Sequence, residues 1–185
     1  MVRVIGGIYK GRKLKSSEGL KTRPTPSIVR EALFDILGER VKGSYFLDLY
    51  AGFGCVGIEA LSRGAAFSMF VEENFKTSSI IKENLKLLGI NSGYQILAVS
   101  ALKSIKKIYL YNLKFDFIFL DPPYSESPFM KFFELLCENN ILSKGGEIII
   151  QHSKKSSPEI PEGYLLKKEY NYGDTSLLFA LKKED

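Results

Sequence analysis

A chain of 185 residues with 45% hydrophobic and 25% charged side chains has the size and balance of one ordinary water-soluble domain. No apolar run approaches the roughly 20 residues that span a bilayer, and the N-terminus lacks an apolar segment with a small-residue cleavage site, so the expected setting is the cytoplasm. Cys55 and Cys137 lie far apart in apolar stretches, which gives neither a disulfide framework nor zinc-ligand spacing; both are expected in the core, with no metal site. The net charge of +5 is unevenly spread, because residues 1–30 hold eight Lys and Arg against Glu18 alone, leaving −2 for the remainder. Such an arm is either a solvated tail or the contact for a polyanion.

Loose alternation and glycine breaks predict a short hairpin over 2–14, and 16–21 reads as a polar loop. Thr25-Pro26 looks like an N-cap followed by a first-turn proline, and Ile28, Val29, Ala32, Leu33, Ile36 and Leu37 recur at helical spacing before Gly38, predicting a helix over 26–37. From Tyr45 the pattern becomes short apolar runs alternating with helical segments, the mark of an α/β fold with a parallel sheet and crossover helices. Strands are expected at 45–49, 68–71, 94–99, 115–120 and 147–151, with helices near 57–62, 76–88, 102–108 and 128–138. Segments 163–172 and 176–183, joined by the turn Tyr172-Gly173-Asp174-Thr175, read as an antiparallel hairpin closing the sheet edge.

Two motifs carry chemistry. In the first, Phe46-Leu47-Asp48-Leu49-Tyr50 leads into Ala51-Gly52-Phe53-Gly54-Cys55-Val56-Gly57, a strand followed by G-x-G-x-x-G opening a helix. Glycines admit a ligand close to the backbone, and Glu72, 20 residues beyond Gly52, stands where an acid binds ribose hydroxyls. A nicotinamide dinucleotide and S-adenosylmethionine both meet these terms. Asp48, just before the turn, suits a cationic amino-acid tail, or else merely braces the loop. Ser100 ends the third strand where Asp or Asn would commonly bind the adenine amine, so that contact is expected to be weak. The candidate cofactor set is Asp48, Ala51, Gly52, Gly54, Glu72, Ser100 and Ala101.

In the second motif, the apolar run 115–120 delivers Asp121-Pro122-Pro123-Tyr124 to the same sheet edge. The prolines fix the backbone, so the Asp121 carboxylate and the Pro122 carbonyl can face one point while Tyr124 offers an aromatic face. Two acceptors beside a ring fit a planar amine. Accepting both its hydrogens would direct the nitrogen lone pair at a methyl donor, and Tyr124 would stack the extruded base. Of the other candidates, His152 reads as a strand-end residue, and Glu59 with Arg63 as a surface i, i+4 ion pair. Tyr50 and Phe53 either shape the pocket or pack in the core.

Asp48 with Ala51-Gly52-Phe53-Gly54 and Asp121-Pro122-Pro123-Tyr124 resembles the class I S-adenosylmethionine-dependent amino methyltransferases over residues 44–183. The leader Arg3-Val4-Ile5-Gly6-Gly7-Ile8-Tyr9-Lys10-Gly11-Arg12-Lys13-Leu14, then Thr22-Arg23-Pro24-Thr25 and Val29-Arg30-Glu31-Ala32-Leu33-Phe34, is more specific, as is Glu59-Ala60-Leu61-Ser62-Arg63-Gly64-Ala65. These resemble the RsmD-type methyltransferases, which modify guanine N2 at position 966 of 16S ribosomal RNA. The resemblance implies a Rossmann-like seven-stranded, mostly parallel sheet with a C-terminal antiparallel hairpin, preceded by an N-terminal hairpin and helix. It implies an RNA-contacting extension at 1–42 before a methyltransferase domain at 43–185. S-adenosylmethionine would lie against Asp48, Gly52, Gly54 and Glu72, and the target guanine at Asp121, Pro122 and Tyr124. Arg3, Lys10, Arg12, Lys13, Arg23 and Arg30 would grip RNA, their neighbouring glycines letting the arm follow the phosphates. The expected partner is small-subunit ribosomal RNA or an assembling 30S particle, met by a monomer. A DNA adenine-N6 methyltransferase could use the same tetrapeptide, and a non-catalytic RNA-binding assembly factor could retain the fold.

Overall fold

The computed structural model describes residues 2–16, 25–123 and 128–183; Arg23, Tyr124 and most of the expected loop at 16–21 lie outside the described residues. A two-stranded antiparallel hairpin, β1 (Val2–Arg3) and β2 (Lys13–Leu14), precedes α1 (Ser27–Leu37). Then β3 (Tyr45–Leu49), α2 (Cys55–Ser62), β4 (Phe67–Val71), α3 (Phe75–Leu88), β5 (Tyr94–Leu97), α4 (Ala101–Leu110), β6 (Phe115–Leu120), α5 (Phe129–Glu138) and β7 (Leu142–Ser153) alternate. The chain ends in β8 (Tyr164–Tyr172) and β9 (Thr175–Lys182). The seven-stranded sheet runs β5-β4-β3-β6-β7-β9-β8, with β9 antiparallel to both neighbours and the pairs from β5 to β7 all parallel. No helix among the described residues is long and apolar enough to cross a membrane.

Alternation along the strands sorts side chains to the two faces. Leu47, Met69, Ile118, Ile148 and Leu178 pack with Ile105 and Ile108 of α4 and Phe132 and Phe133 of α5. Phe46, Phe117, Phe119, Ile149 and Phe179 point the other way, onto Val29, Leu33, Phe34 and Leu37 of α1. The helix preceding the parallel sheet therefore shares its core. A third cluster joins Ile58 of α2 and Ile81 and Leu85 of α3 to Val4 and Leu14 of the hairpin, so the leader is packed onto the sheet's helices.

Several elements differ from their sequence outline. The third parallel strand stops at Leu97, and Ala98 is exposed, so Ser100 becomes the residue that precedes α4 and its side chain makes no cap. The strand expected at 147–151 is the middle of a twelve-residue β7 whose register against β6 shifts between Phe115 and Phe117. The C-terminal hairpin forms, but its second strand lies inside the sheet and β8 is left as the edge. Cys55 is buried as expected, whereas Cys137 is exposed. Its place near the end of amphipathic α5 turns it away from Phe132, Phe133 and Leu136, which carry that helix's contact with the core.

Candidate active site

The cofactor turn begins where β3 ends. Tyr50 (φ 63°), Gly52 (φ 54°) and Gly54 (φ 80°) all adopt left-handed backbone, a cost that glycine meets readily and tyrosine does not. The turn is held by its neighbours: Gly52 N–H donates to Glu72 Oε2 at 3.0 Å, and Ala51 N–H donates to the Val71 carbonyl at 2.9 Å. Gly57 has a different task. A Cβ there would lie 2.3 Å from Phe70 Cε1 and 2.7 Å from Ser68 Oγ, so this glycine lets α2 sit directly on β4. Its N–H donates to Asp48 Oδ2 at 2.9 Å. Asp48 therefore braces the helix.

Register brings the functional strand ends together. Leu49 pairs with Val71 and Leu120, and Val71 with Leu97, so Tyr50, Glu72, Ala98 and Asp121 leave the sheet from one edge. Ala51, Gly52 and Gly54 are buried in the turn, and Ala101 is buried at the start of α4. Glu72 Oε1 also accepts from the Asn74 N–H at 2.9 Å. Burial raises the Glu72 pKa against these two bonds. Asp48 is pushed up to about 8 chiefly by burial, with the Asp121 and Glu72 carboxyls adding to the rise and the Gly57 bond opposing it. Burial also pushes Asp121 up to about 7, against a hydrogen bond from Thr25. An edge with three elevated carboxyl pKa values is poised to receive positive charge and hydrogen-bond donors.

Thr25 is the residue that sequence reasoning misplaced. Its hydroxyl donates to Asp121 Oδ2 at 3.2 Å, and α1 starts at Ser27 without a side-chain cap. Pro26, with ψ of 141°, holds the chain extended just before the helix. Pro122 is buried and Pro123 exposed; Tyr124 lies outside the described residues. His152 sits within β7, buried, with Nε2 3.3 Å from Glu169 Oε1.

The leader is clamped to the cofactor helix. Glu59 of α2 is fully buried and accepts from the Ile5 and Gly6 amides at 2.8 and 2.6 Å, and from Arg63 Nε at 3.0 Å. The expected surface pair Glu59–Arg63 is thus an ion pair whose acid is a buried anchor. Ser62 Oγ donates to the Gly6 carbonyl and accepts from the Tyr9 amide. The glycines serve this contact: a Cβ on Gly7 would lie 1.8 Å from the Ser62 carbonyl oxygen, and one on Gly6 2.6 Å from Arg63 Nη2. Close approach here is to a helix, which corrects the reading of these two glycines as freedom to follow phosphates. Arg30 also needs correction as an RNA contact. It is 1% exposed, donates from Nη2 to the Arg3 carbonyl at 2.6 Å and lies 3.8 Å from Glu59, so its guanidinium faces inward. Arg3, Lys10, Arg12 and Lys13 are exposed, and Arg3, Arg12, Lys13 and Lys15 help line a cavity of about 580 Å³ between the hairpin and Leu87 of α3. Asn84, fully buried, joins the end of the leader to the glycine turn through bonds to Lys15 N and O and the Phe53 carbonyl. Nothing in the spacing of Glu59, Ser62 or Asn84 announces these partners.

Comparison with known proteins places the chain among sequences of closely matching extent. The family model described as conserved hypothetical protein 95 matches residues 2–181. Ribosomal RNA small subunit methyltransferase D of Haemophilus influenzae is 37% identical over 178 residues, covering 95% of this chain and 91% of that one. The protein of the same name from Buchnera aphidicola subsp. Acyrthosiphon pisum is 38% identical over 166 residues, 90% and 85% of the two chains. The solved structure of yhhF from Escherichia coli superposes with a TM-score of 0.87 at 25% identity, covering 100% and 99% of the chains.

Proposed function

The chain belongs to the RsmD-type family of S-adenosylmethionine-dependent methyltransferases, and we propose that it methylates the exocyclic N2 of a guanine, guanine 966 by its family, in small-subunit ribosomal RNA. One observation carries the reading: Asp121, conformationally fixed by the following prolines, leaves the sheet from the same edge as the glycine turn and Glu72. The residues present fit the cofactor. Glu72 offers acceptors for ribose hydroxyls, and the elevated Asp48 carboxyl suits an ammonium group. The backbone of Ala51, Gly52 and Gly54, with Ser100 and Ala101 across the edge, would complete the cradle. When bound, the cofactor supplies a methyl made electrophilic by its sulfonium charge.

The protein's part is positioning and proton management. Asp121 and the Pro122 carbonyl accept the amine hydrogens and turn the lone pair toward the methyl, while Tyr124 stacks the base. Methylation leaves the nitrogen one proton in excess. Asp121, with a pKa near 7, is matched to take it. In this reading residues 1–42 are the RNA-contacting extension of a methyltransferase domain at 43–185. Arg3, Lys10, Arg12 and Lys13 grip the phosphates, with Arg23 on the same arm, and the protein works as a monomer in the cytoplasm on ribosomal RNA or an assembling 30S particle.

The test is transfer of labelled methyl from S-adenosylmethionine to small-subunit particles and to their RNA from cells lacking this protein, followed by nucleoside analysis. N2-methylguanosine at a single site is expected. Label appearing as N6-methyladenine in DNA, with none in RNA, overturns the reading.

A further inference from the structure

We infer that Thr25 is a positioning residue for methyl transfer: its hydroxyl holds one oxygen of Asp121 so that the carboxylate stays charged and aimed at the amine. The inference rests on the methyltransferase reading above. Thr25 and Asp121 are 96 residues apart, yet the hydroxyl meets Oδ2 at 3.2 Å. The contact bridges the leader and the catalytic strand. Thr25 is free for it because Pro26 keeps the chain extended and the first turn of α1 takes no side-chain cap. Its position is fixed from behind, since Arg30 on that helix ties to the Arg3 carbonyl and Glu59, and Val29, Leu33 and Phe34 are buried against the sheet.

A carboxylate in this place needs such help. Asp121 is half-buried, and burial pushes its carboxyl up; it shares its edge with the carboxyl of Asp48 of β3, which the Asp121 charge helps to raise, and Glu72 of β4 leaves the same edge. β7 supplies no charge beside it: one step beyond the pair Leu120–Ile150 lies Gln151, buried and neutral. Thr25 is the group whose hydrogen bond favours the ionised form. Bonding Oδ2 from the leader side also stops the carboxylate from rotating, and leaves Oδ1 for the substrate.

The experiment compares wild type, Thr25→Val and Thr25→Ser in steady-state transfer from pH 5.5 to 9, with thermal melts showing that each is folded. Thr25→Val should lower kcat at pH 7 about tenfold, the worth of one hydrogen bond to a charged group. It should also displace the rising limb of the pH profile to higher pH and leave KM for S-adenosylmethionine unchanged. Thr25→Ser should restore both rate and limb. A second readout needs no turnover: the Asp121 carboxyl carbon, followed by NMR in protein labelled at aspartate, should titrate at higher pH in Thr25→Val. An active wild type with an unmoved limb and unmoved titration in Thr25→Val overturns the inference. A rise in cofactor KM alone also overturns it, by assigning Thr25 to the cofactor. Absence of RNA methylation by wild type itself defeats the functional reading, and the NMR titration then still decides whether Thr25 governs Asp121.

Discussion

Replacing Glu59 with glutamine tests whether the leader is held by one buried carboxylate. Glu59 is fully buried and receives the Ile5 and Gly6 amides and Arg63 Nε, with Arg30 at 3.8 Å. Glutamine keeps the volume, removes the charge and substitutes an NH2 for one acceptor oxygen, so at least one backbone N–H faces a donor. A hydrogen bond to a charged group is worth about 1.5–3 kcal/mol, and removing one partner of a buried ion pair costs about 3–5 kcal/mol. The leader adds only Val4 and Leu14 to the buried cluster that α2, β4 and α3 form without it, so the loss should appear as local opening of about 2–4 kcal/mol. Native-state hydrogen exchange reads this directly. The Ile5 and Gly6 amides should exchange roughly 30- to 800-fold faster, while amides of β3 and β6 stay protected. Adding Arg30→Met should cost less than its effect on wild type, because the guanidinium has already lost its counter-charge. Unchanged exchange at Ile5 and Gly6 would refute the anchor.

Other consequences can be checked separately. Gly57→Ala should destabilise the fold by about 1–3 kcal/mol in urea unfolding, because its Cβ would strike Phe70; a neutral effect would mean that α2 can lift from β4 freely. Asp48, normally near 3.8, is held at about 8 when folded, so the native state keeps a proton that the unfolded chain has released. That stability is present below about pH 4 and lost as pH rises through 8. Asp48→Asn should therefore flatten the fall in Tm between pH 5 and 9, and a parallel curve would contradict the assigned burial. Cofactor binding should expel the same proton, measured by calorimetry in buffers of different ionisation enthalpy. Asp121→Ala should abolish transfer while sparing cofactor affinity. Reversing the charges of Arg3, Arg12 and Lys13 should weaken RNA binding and flatten its salt dependence; an unchanged slope would remove them from the interface.

The parallel core was legible because its signals are local. The runs at 45–49 and 115–120 match β3 and β6 to the residue, since an apolar strand bounded by turn residues has few other readings. Glycine spacing likewise announced the turn and Glu72. What the sequence hid depends on long-range partners. Thr25 carries every mark of an N-cap, and only the fold shows Asp121 within reach. Arg30 counts as a charge available to RNA until its burial against Glu59 is known. Gly6 and Gly7 sit among basic residues, but their requirement comes from Ser62 and Arg63.

The placement of β9 bears on how the molecule is made. Residues 175–182 lie between β7 and β8, so β8 has no partner in the sheet until β9 has been synthesised. A nascent chain in which β9 has not yet emerged can assemble β3 through β7, but it presents β7 as a bare edge opposite the place where Leu177 to Leu181 will dock. Completion of this sheet therefore waits on β9. Loss of residues 175–182 would remove the strand between β7 and β8 and leave β8 with no partner in the sheet, rather than trim its margin.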